Sequence, residues 1–192
     1  METASLSAPI INEKAKKLLL WFAIVSIGMM FAGLTSGYLV RRVAGNWLQF
    51  QLPFTFAVST AIILISSITM NMASQAIKKG NNKGLTAMIA LTFILGVAFG
   101  ICQYISWGNL ISQKVFLTGT QSSASGSYLY VISALHLCHI VGGLIALIVV
   151  FIKSLRNKYS AESRLGVKLC AIYWHFLDAL WVYLFVFMYI FR

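Results

Sequence analysis

Long stretches without a charged side chain constrain this sequence more than any other feature. They cover residues 18–40, 43–77, 84–113, 115–152 and 169–191. Only the last stretch is interrupted, by Asp178. An α-helix needs about 20 mostly apolar residues to cross ~30 Å of hydrocarbon, so each stretch holds one span and the longer ones also hold loop. The sequence therefore predicts an all-α membrane protein with five transmembrane helices.

The connections between the spans are marked by polar, glycine-rich, serine-rich or proline-containing segments. Examples are GNWLQFQLP, KKGNNK and TGTQSSASGS, whose residue types are typical of turns and loops. We therefore expect helices near residues 18–40, 54–77, 85–107, 128–152 and 169–191. Residues 18–192 then form one transmembrane domain after a tail at 1–17. No connection is long enough to bury a core of its own, which excludes the chemistry of a water-soluble domain.

The formal net charge of +11 is distributed unevenly between the two sets of helix ends. Eleven basic residues flank one set: Lys14, Lys16, Lys17, Lys78, Lys79, Lys83, Lys153, Arg156, Lys158, Arg164 and Lys168. Four flank the other: Arg41, Arg42, Lys114 and Arg192. The positive-inside rule therefore predicts a cytoplasmic N-terminus and a C-terminus outside. The charge indicates topology, with anionic lipid headgroups rather than nucleic acid as its partners.

Sequence motifs for enzyme chemistry are missing. There is no HExxH or CxxCH motif, phosphate-binding loop or serine nucleophile elbow. Asp178 is the only carboxylate inside a predicted span, so no carboxylate pair is present for general acid–base catalysis. The three cysteines lie within predicted spans without CxxC spacing and imply no disulfide framework. We therefore predict no catalytic residue and no metal site in this chain.

Small residues indicate where the helices meet. Helices in lipid lack a hydrophobic driving force for association and depend on close backbone approach. Six glycines within the predicted spans are candidates for such contacts: Gly33, Gly37, Gly96, Gly100, Gly142 and Gly143. The first four form two pairs with small-xxx-small spacing, and the last two are adjacent in the fourth span.

Ionisable side chains are rare within the predicted spans. His136 and His139 lie three residues apart in the fourth span, and His175 and Asp178 lie three apart in the fifth. Each pair therefore shares one helical face. Because such groups are costly in hydrocarbon, they usually face the bundle interior and have partners. We expect a polar cluster that joins these two helices, with Gln103 of the third span as an uncharged addition.

Three interpretations of this cluster are open at the level of the residues. The side chains can satisfy one another, or a water or lipid headgroup, and so fix helix packing. They can form a proton relay, because histidine and aspartate titrate when partly buried. Two histidines can also ligate a metal or a haem, although a bis-histidine haem needs imidazoles that face each other across helices.

Four segments of the sequence carry a family resemblance. LPFTFAVSTAIILISSITMNMA, LTFILGVAFGICQYISW, LHLCHIVGGLIAL and YWHFLDALWVYLFVFMYI resemble, in this order, signature segments of subunit III of the haem-copper respiratory oxidases. The family pattern is His-Gly-Leu-His-Val followed by glycine in the third segment, and Trp-His-Phe-Val-Asp with a later tryptophan in the last. The matching positions here are His136, His139, Gly142, Trp174, His175, Phe176, Asp178 and Trp181. The resemblance covers roughly residues 18–192.

This resemblance implies an accessory subunit without redox cofactors of its own. Haem and copper belong to the partner catalytic subunits, of which subunit I is the main contact, with subunit II and a small subunit IV as further partners. The resemblance also implies bound phospholipid, support of proton uptake and oxygen access, and a place in the bacterial plasma membrane. The lipid-binding or structural polar cluster would then consist of Gln103, His136, His139, Trp174, His175, Asp178 and Trp181.

The family has seven-helix members and shorter five-helix members that lack the first two helices. Removing two helices keeps both termini on their sides of the membrane, in agreement with the topology predicted from the charges. One departure concerns proton transfer, because Ile27 in SIGMMFAG occupies the place of a buried family glutamate.

Cytochrome c oxidase is the expected assembly. The alternatives are subunit III of a quinol oxidase, or a stand-alone haem b protein that uses His136 or His139 with His175.

Overall fold

The computed structural model describes residues 3–43, 47, 51–119, 123–156, 159 and 164–191, with side chains from residue 13 onward. It contains five α-helices within these ranges. Their bounds are α1 Thr3–Val43, α2 Phe54–Lys78, α3 Asn82–Ser112, α4 Ala124–Leu155 and α5 Leu165–Phe191. Each is long and apolar enough to cross a membrane, with the candidate span of α1 at Glu13–Val43. The predicted all-α fold with five membrane helices is confirmed.

The helices extend beyond the predicted spans, most of all at α1. This helix already includes the predicted tail from Thr3 onward. Charged side chains limit how much of a helix lipid can bury, but they do not stop the chain from being helical. One turn before the apolar part, Lys17 and Glu13 form an i,i+4 ion pair at 3.8 Å. Residues 1 and 2 of the tail lie outside the described residues, as do Lys158 and Arg192, which the topology prediction also counts.

Local sequence signals set several helix ends. α2 begins directly after Pro53, and after α2 ends, Gly80 adopts a positive φ of 71° that turns the chain into α3. The Asn81 side chain then caps α3 by accepting a hydrogen bond from the Gly84 N–H at 2.9 Å. Ser123 caps α4 in the same way, through the Gly126 N–H at 3.2 Å. The short turn makes α2 and α3 an antiparallel pair.

α5 is one of two helices in the described bundle, with α4, that contact three others. It contacts α1, α2 and α4, while α2 also packs on α3, and α3 on α4. α1 contacts α4 and α5, and within the described ranges it makes no contact with α2. A strip of α5 therefore lies uncovered between α1 and α2. Two tryptophans of α5, Trp174 and Trp181, belong to the two hydrophobic clusters that fill opposite halves of the interior.

Hydroxyl groups link most of the contacting helices in addition to apolar packing. Thr35 of α1 bonds Tyr183 of α5 at 3.1 Å, and Thr69 of α2 bonds Thr92 of α3 at 2.8 Å. α3 and α4 are joined near one end by a further hydroxyl pair at 2.6 Å. Such bonds contribute about 0.6 kcal/mol on average between membrane helices, so their number matters more than any single bond.

The membrane orientation of this bundle stays a prediction, and reporter fusions test it. A reporter enzyme that is active only outside the cytoplasm is expected to be active when fused after Arg192. The same reporter, fused to a chain that ends at Gly80, is expected to be inactive because the basic end of α2, at Lys78 and Lys79, stays in the cytoplasm. Reporter activity in intact cells is the measurement. The opposite pattern of activity would contradict the assignment of the eleven basic residues to the cytoplasmic side.

Candidate functional site

The motif residues of α5 lie on a face that is buried against α2. Trp174, Leu177, Trp181, Leu184 and Met188 recur every three or four residues, and all are buried. This is the spacing of one helical stripe. The stripe places both indoles, which are fully enclosed, against hydroxyl-bearing positions of α2.

Each indole N–H of α5 donates a hydrogen bond to α2. Trp174 Nε1 donates to Ser66 Oγ at 3.0 Å, and Trp181 Nε1 donates to Thr60 Oγ1 at 3.0 Å. The residue numbers run in opposite directions, so the two helices are antiparallel. Without water, an unpaired N–H costs several kcal/mol, and these hydroxyls remove that cost. We refer to Ser66, Thr60 and the two tryptophans as the indole seam.

Gln103 connects α3 to the same face of α2. Its Nε2 donates to Ser59 Oγ at 2.9 Å, one residue before Thr60 of the indole seam. The side chain is fully buried, and its carbonyl oxygen has no hydrogen-bond partner among the described residues. The amide therefore contributes a bond between α2 and α3. Among the described residues it makes no hydrogen bond to the His136–His139 pair or to the His175–Asp178 pair.

Glycines admit the Trp174 ring between α3 and α4. A Cβ at Gly96 would lie 2.8 Å from the ring and 2.9 Å from Leu144, and one at Gly143 would lie 3.0 Å from the ring. Only glycine fits such a close approach without a shift of its neighbours. The predicted glycine contact at position 96 is therefore with a tryptophan of α5 and not with the backbone of another helix.

The other predicted packing glycines differ in their surroundings. A Cβ at Gly37 would lie 3.3 Å from the Tyr128 hydroxyl, whereas at Gly100 and Gly142 the nearest atoms are at 3.6 Å and 3.7 Å. At Gly33 no atom lies within 4 Å of such a Cβ. The expected contact at Gly33 is thus not made within the described chain, because this side of α1 faces outward.

His175 and Asp178 interact with α2 rather than with the histidines of α4. His175 Nδ1 lies 2.7 Å from Ser67 Oγ, and 4.0 Å from a carboxyl oxygen of Asp178. Asp178 is 3% exposed, while His175 is partly open. The Ser67 hydroxyl is also near the Asp178 carboxyl, but no hydrogen bond of acceptable length and angle reaches either carboxyl oxygen within the described chain.

His136 and His139 lie in a different, aromatic environment. The fully buried His136 ring has centroid distances of 5.0 Å to Trp181, 5.9 Å to Phe99 and 6.3 Å to Phe31. Neither of its nitrogens has a hydrogen-bond partner in the described part of the chain. His139 Nδ1 lies 2.6 Å from the carbonyl oxygen of Leu135 in its own helix.

The two ionisable pairs therefore do not form the single hydrogen-bonded cluster expected from the sequence. The ring of Trp181 lies against His136, and the acceptors for α5 come from α2. Sequence reasoning missed Thr60, Ser66 and Ser67, because serine and threonine in a membrane helix usually bond their own backbone and carry no motif. The weak signal available was the density of hydroxyl residues in the second span.

The arrangement holds no metal centre that the described residues reveal. No three histidine, cysteine, aspartate or glutamate side chains come together within those ranges. Aromatic rings from three helices surround the buried His136. The geometry favours a structural role, in which polar groups join neighbouring helices by hydrogen bonds.

Comparison with known proteins relates this arrangement to a family. A family model described as cytochrome c oxidase subunit III matches residues 46–192. A probable cytochrome c oxidase subunit 3 of Mycobacterium tuberculosis is 34% identical over 169 residues, which are 85% of this chain and 82% of that protein. A protein of the same name from Nocardia farcinica is 32% identical over 170 residues, with the same coverage.

The chain belongs to the cytochrome c oxidase subunit III family. The probable cytochrome c oxidase subunit 3 of Rickettsia felis is 33% identical over 144 residues, which are 74% of this chain but 49% of that longer protein. In this subunit III chain, Ile27 packs against the hydrophobic cluster around Trp181. An apolar side chain therefore fills the place where the resemblance leads us to expect a glutamate.

The glycine at position 96 gives a direct test of this subunit III packing. Gly96→Ala is expected to destabilise the protein by about 1–3 kcal/mol, because its Cβ overlaps the Trp174 ring and Leu144. Gly108→Ala in the same helix is the matched control, since no neighbouring atom of the described residues lies within 4 Å of a Cβ at that position. Thermal unfolding of the detergent-solubilised protein, followed by tryptophan fluorescence, measures both. Equal unfolding temperatures for the two variants would contradict the close approach.

Proposed function

We propose that this chain is the accessory subunit III of a respiratory haem-copper terminal oxidase, a cytochrome c oxidase, in a bacterial plasma membrane. One observation carries the proposal: the subunit III family model matches residues 46–192, which include all of α2 to α5. The bacterial relatives support the same assembly through their names. The chain would then take part in oxygen reduction coupled to proton pumping without itself transferring electrons.

The interior polar groups support a cohesive role. The indole seam, Gln103 and the His175–Ser67 pair each join two helices by a hydrogen bond. Groups engaged in this way stabilise one arrangement of helices. In our proposal, haem and copper reside in the partner subunits, with subunit I as the main partner and subunits II and IV as further ones. The chain supplies a stable helical surface, within the membrane, on which those catalytic subunits pack.

The alternative functions have less support. A stand-alone haem b protein needs two imidazoles that face each other across helices. Among the described residues, His175 instead lies against Ser67 of α2, while the ring contacts of His136 are with Phe31, Phe99 and Trp181. In a quinol oxidase, the electron donor would bind other subunits. The fold of this chain therefore does not distinguish a quinol oxidase from a cytochrome c oxidase. The names of the relatives favour cytochrome c as the donor.

Affinity capture combined with optical spectroscopy tests this function. A tagged copy of the chain, extracted from its own membrane in mild detergent, is expected to retain a haem-bearing catalytic subunit and oxidase activity. The same tag on an unrelated multi-pass protein of that membrane is the control. After separation from its partners, the chain is expected to show no Soret absorption. Capture without a haem-copper subunit, or a stoichiometric Soret band in the isolated chain, would contradict the proposal.

A further inference from the structure

A cavity of about 530 Å³ lies between the last turns of α3 and the first turns of α4, and the connection between these helices closes its end. We refer to it as the aromatic cavity. Its aromatic and polar lining, together with one glycine, consists of Tyr104, Trp107, Gly108, Phe116, Thr118 and Tyr130. The aromatic cavity lies at the opposite end of α3 from the turn that follows the basic end of α2.

The connection after α3 is folded back onto α4, where it forms one wall of the aromatic cavity. Val115 is buried, and a Cβ at Gly126 of α4 would lie 2.7 Å from its side chain. The Ser127 hydroxyl of α4 donates to the carbonyl oxygen of Leu117 at 2.7 Å. Because these contacts hold the connection against α4, the cavity has a defined wall at this end.

Two aromatic side chains present apolar ring surface to the cavity. Trp107 Nε1 donates to Ser133 Oγ at 3.0 Å, and the Tyr130 hydroxyl donates to the carbonyl oxygen of Val115 at 3.1 Å. Their polar atoms are therefore engaged within the protein. The two rings lie 6.3 Å apart at an angle of 51°, and Tyr130 is buried, unlike an aromatic anchor in the headgroup region. Such a lining complements a flat, apolar ring.

The aromatic cavity is uncharged but offers two hydroxyl groups. No charged side chain is among the described residues that line it. Tyr104 and Thr118 both line the cavity, and neither hydroxyl has a hydrogen-bond partner within the described part of the chain. The phosphate of a lipid headgroup would find no cation here. A neutral ligand with two oxygen acceptors would find two donors.

The cavity is open toward the hydrocarbon of the membrane. Tyr104 and Ile111 of α3 and Val131 of α4 line it, and all three side chains are exposed. Tyr104 lies eight residues before Ser112 at the end of α3, which is roughly 12 Å along the helix axis. The cavity therefore extends from the helix end well into the membrane span, and a molecule dissolved in lipid can enter it from the side.

We propose that the aromatic cavity binds the ring of a neutral isoprenoid quinone from the membrane. The ring packs against Trp107 and Tyr130. The hydroxyls of Tyr104 and Thr118 donate hydrogen bonds to its two carbonyl oxygens, and the isoprenoid tail extends into the lipid. A phospholipid matches the path of the tail, but it has no flat ring and its charged headgroup has no partner here. This inference goes beyond the proposed function and does not rest on it, because it concerns binding by this chain without electron transfer.

Photolabelling in native membranes that contain the full chain tests this site. An azido-substituted quinone with a short isoprenoid tail is expected to label the chain within residues 104–134, and an excess of the unsubstituted quinone is expected to suppress this labelling. Gly108→Leu is expected to abolish it, because no atom of the described residues lies within 4 Å of a Cβ there and the larger side chain fills the cavity. Gly33→Leu is the matched control, since its Cβ position is equally open but lies on α1.

Tyr104→Phe and Thr118→Val keep the shape of the lining and are each expected to weaken labelling roughly fivefold, through loss of one hydrogen bond. These variants test the site even if Gly108→Leu does not accumulate in the membrane. Unchanged labelling in both, or equal labelling of the two leucine variants, would overturn the proposal. Equal labelling of the same residues by a photoreactive phospholipid would also overturn it, by identifying a general lipid contact. Capture of the chain without a haem-copper subunit would contradict the proposed function alone.

Discussion

The indole N–H groups of α5 impose the requirement on which the rest of the bundle depends. Both indole rings are buried away from water, so each N–H group needs a hydrogen-bond acceptor from a neighbouring helix. Ser66 and Thr60 of α2 supply these acceptors, which fixes the register of the two antiparallel helices. The glycines of α3 and α4 beside Trp174 follow from the same requirement, since any side chain there would displace the ring.

Much of the fold follows from the distribution of charge along the sequence. The uncharged stretches locate all five membrane helices, because hydrocarbon excludes charge and requires about 20 apolar residues. The helix ends are less predictable from this signal. α1 continues through Lys14, Lys16 and Lys17 into the predicted tail, since a helix in water tolerates charges that lipid does not. The pattern of uncharged stretches indicates which residues lipid can bury. Helix formation is a separate property, and this pattern does not locate where a helix begins or ends.

The candidate site was only partly predictable. The motif around Trp174 and Asp178 indicates the buried face of α5, but the partners of that face come from serines and threonines without a pattern of their own. His136 illustrates the second difficulty, because its spacing from His139 predicts a shared polar face, whereas the folded chain surrounds His136 with aromatic rings. The ring or hydroxyl that contacts a given side chain depends on the rotation of each helix about its axis and on its depth in the membrane. An apolar sequence pattern constrains both only weakly.

We interpret the buried indoles of α5 as groups that hold this subunit together by bonding α5 to α2. The most direct measurement is made on the complete oxidase carrying Trp174→Phe and Trp181→Phe, which keep aromatic packing but remove both N–H groups. On mild heating in detergent, the subunit is expected to dissociate at a lower temperature than in the wild-type complex, with haem content and turnover per haem initially unchanged. A complex that retains the subunit normally yet loses turnover or haem would contradict the account.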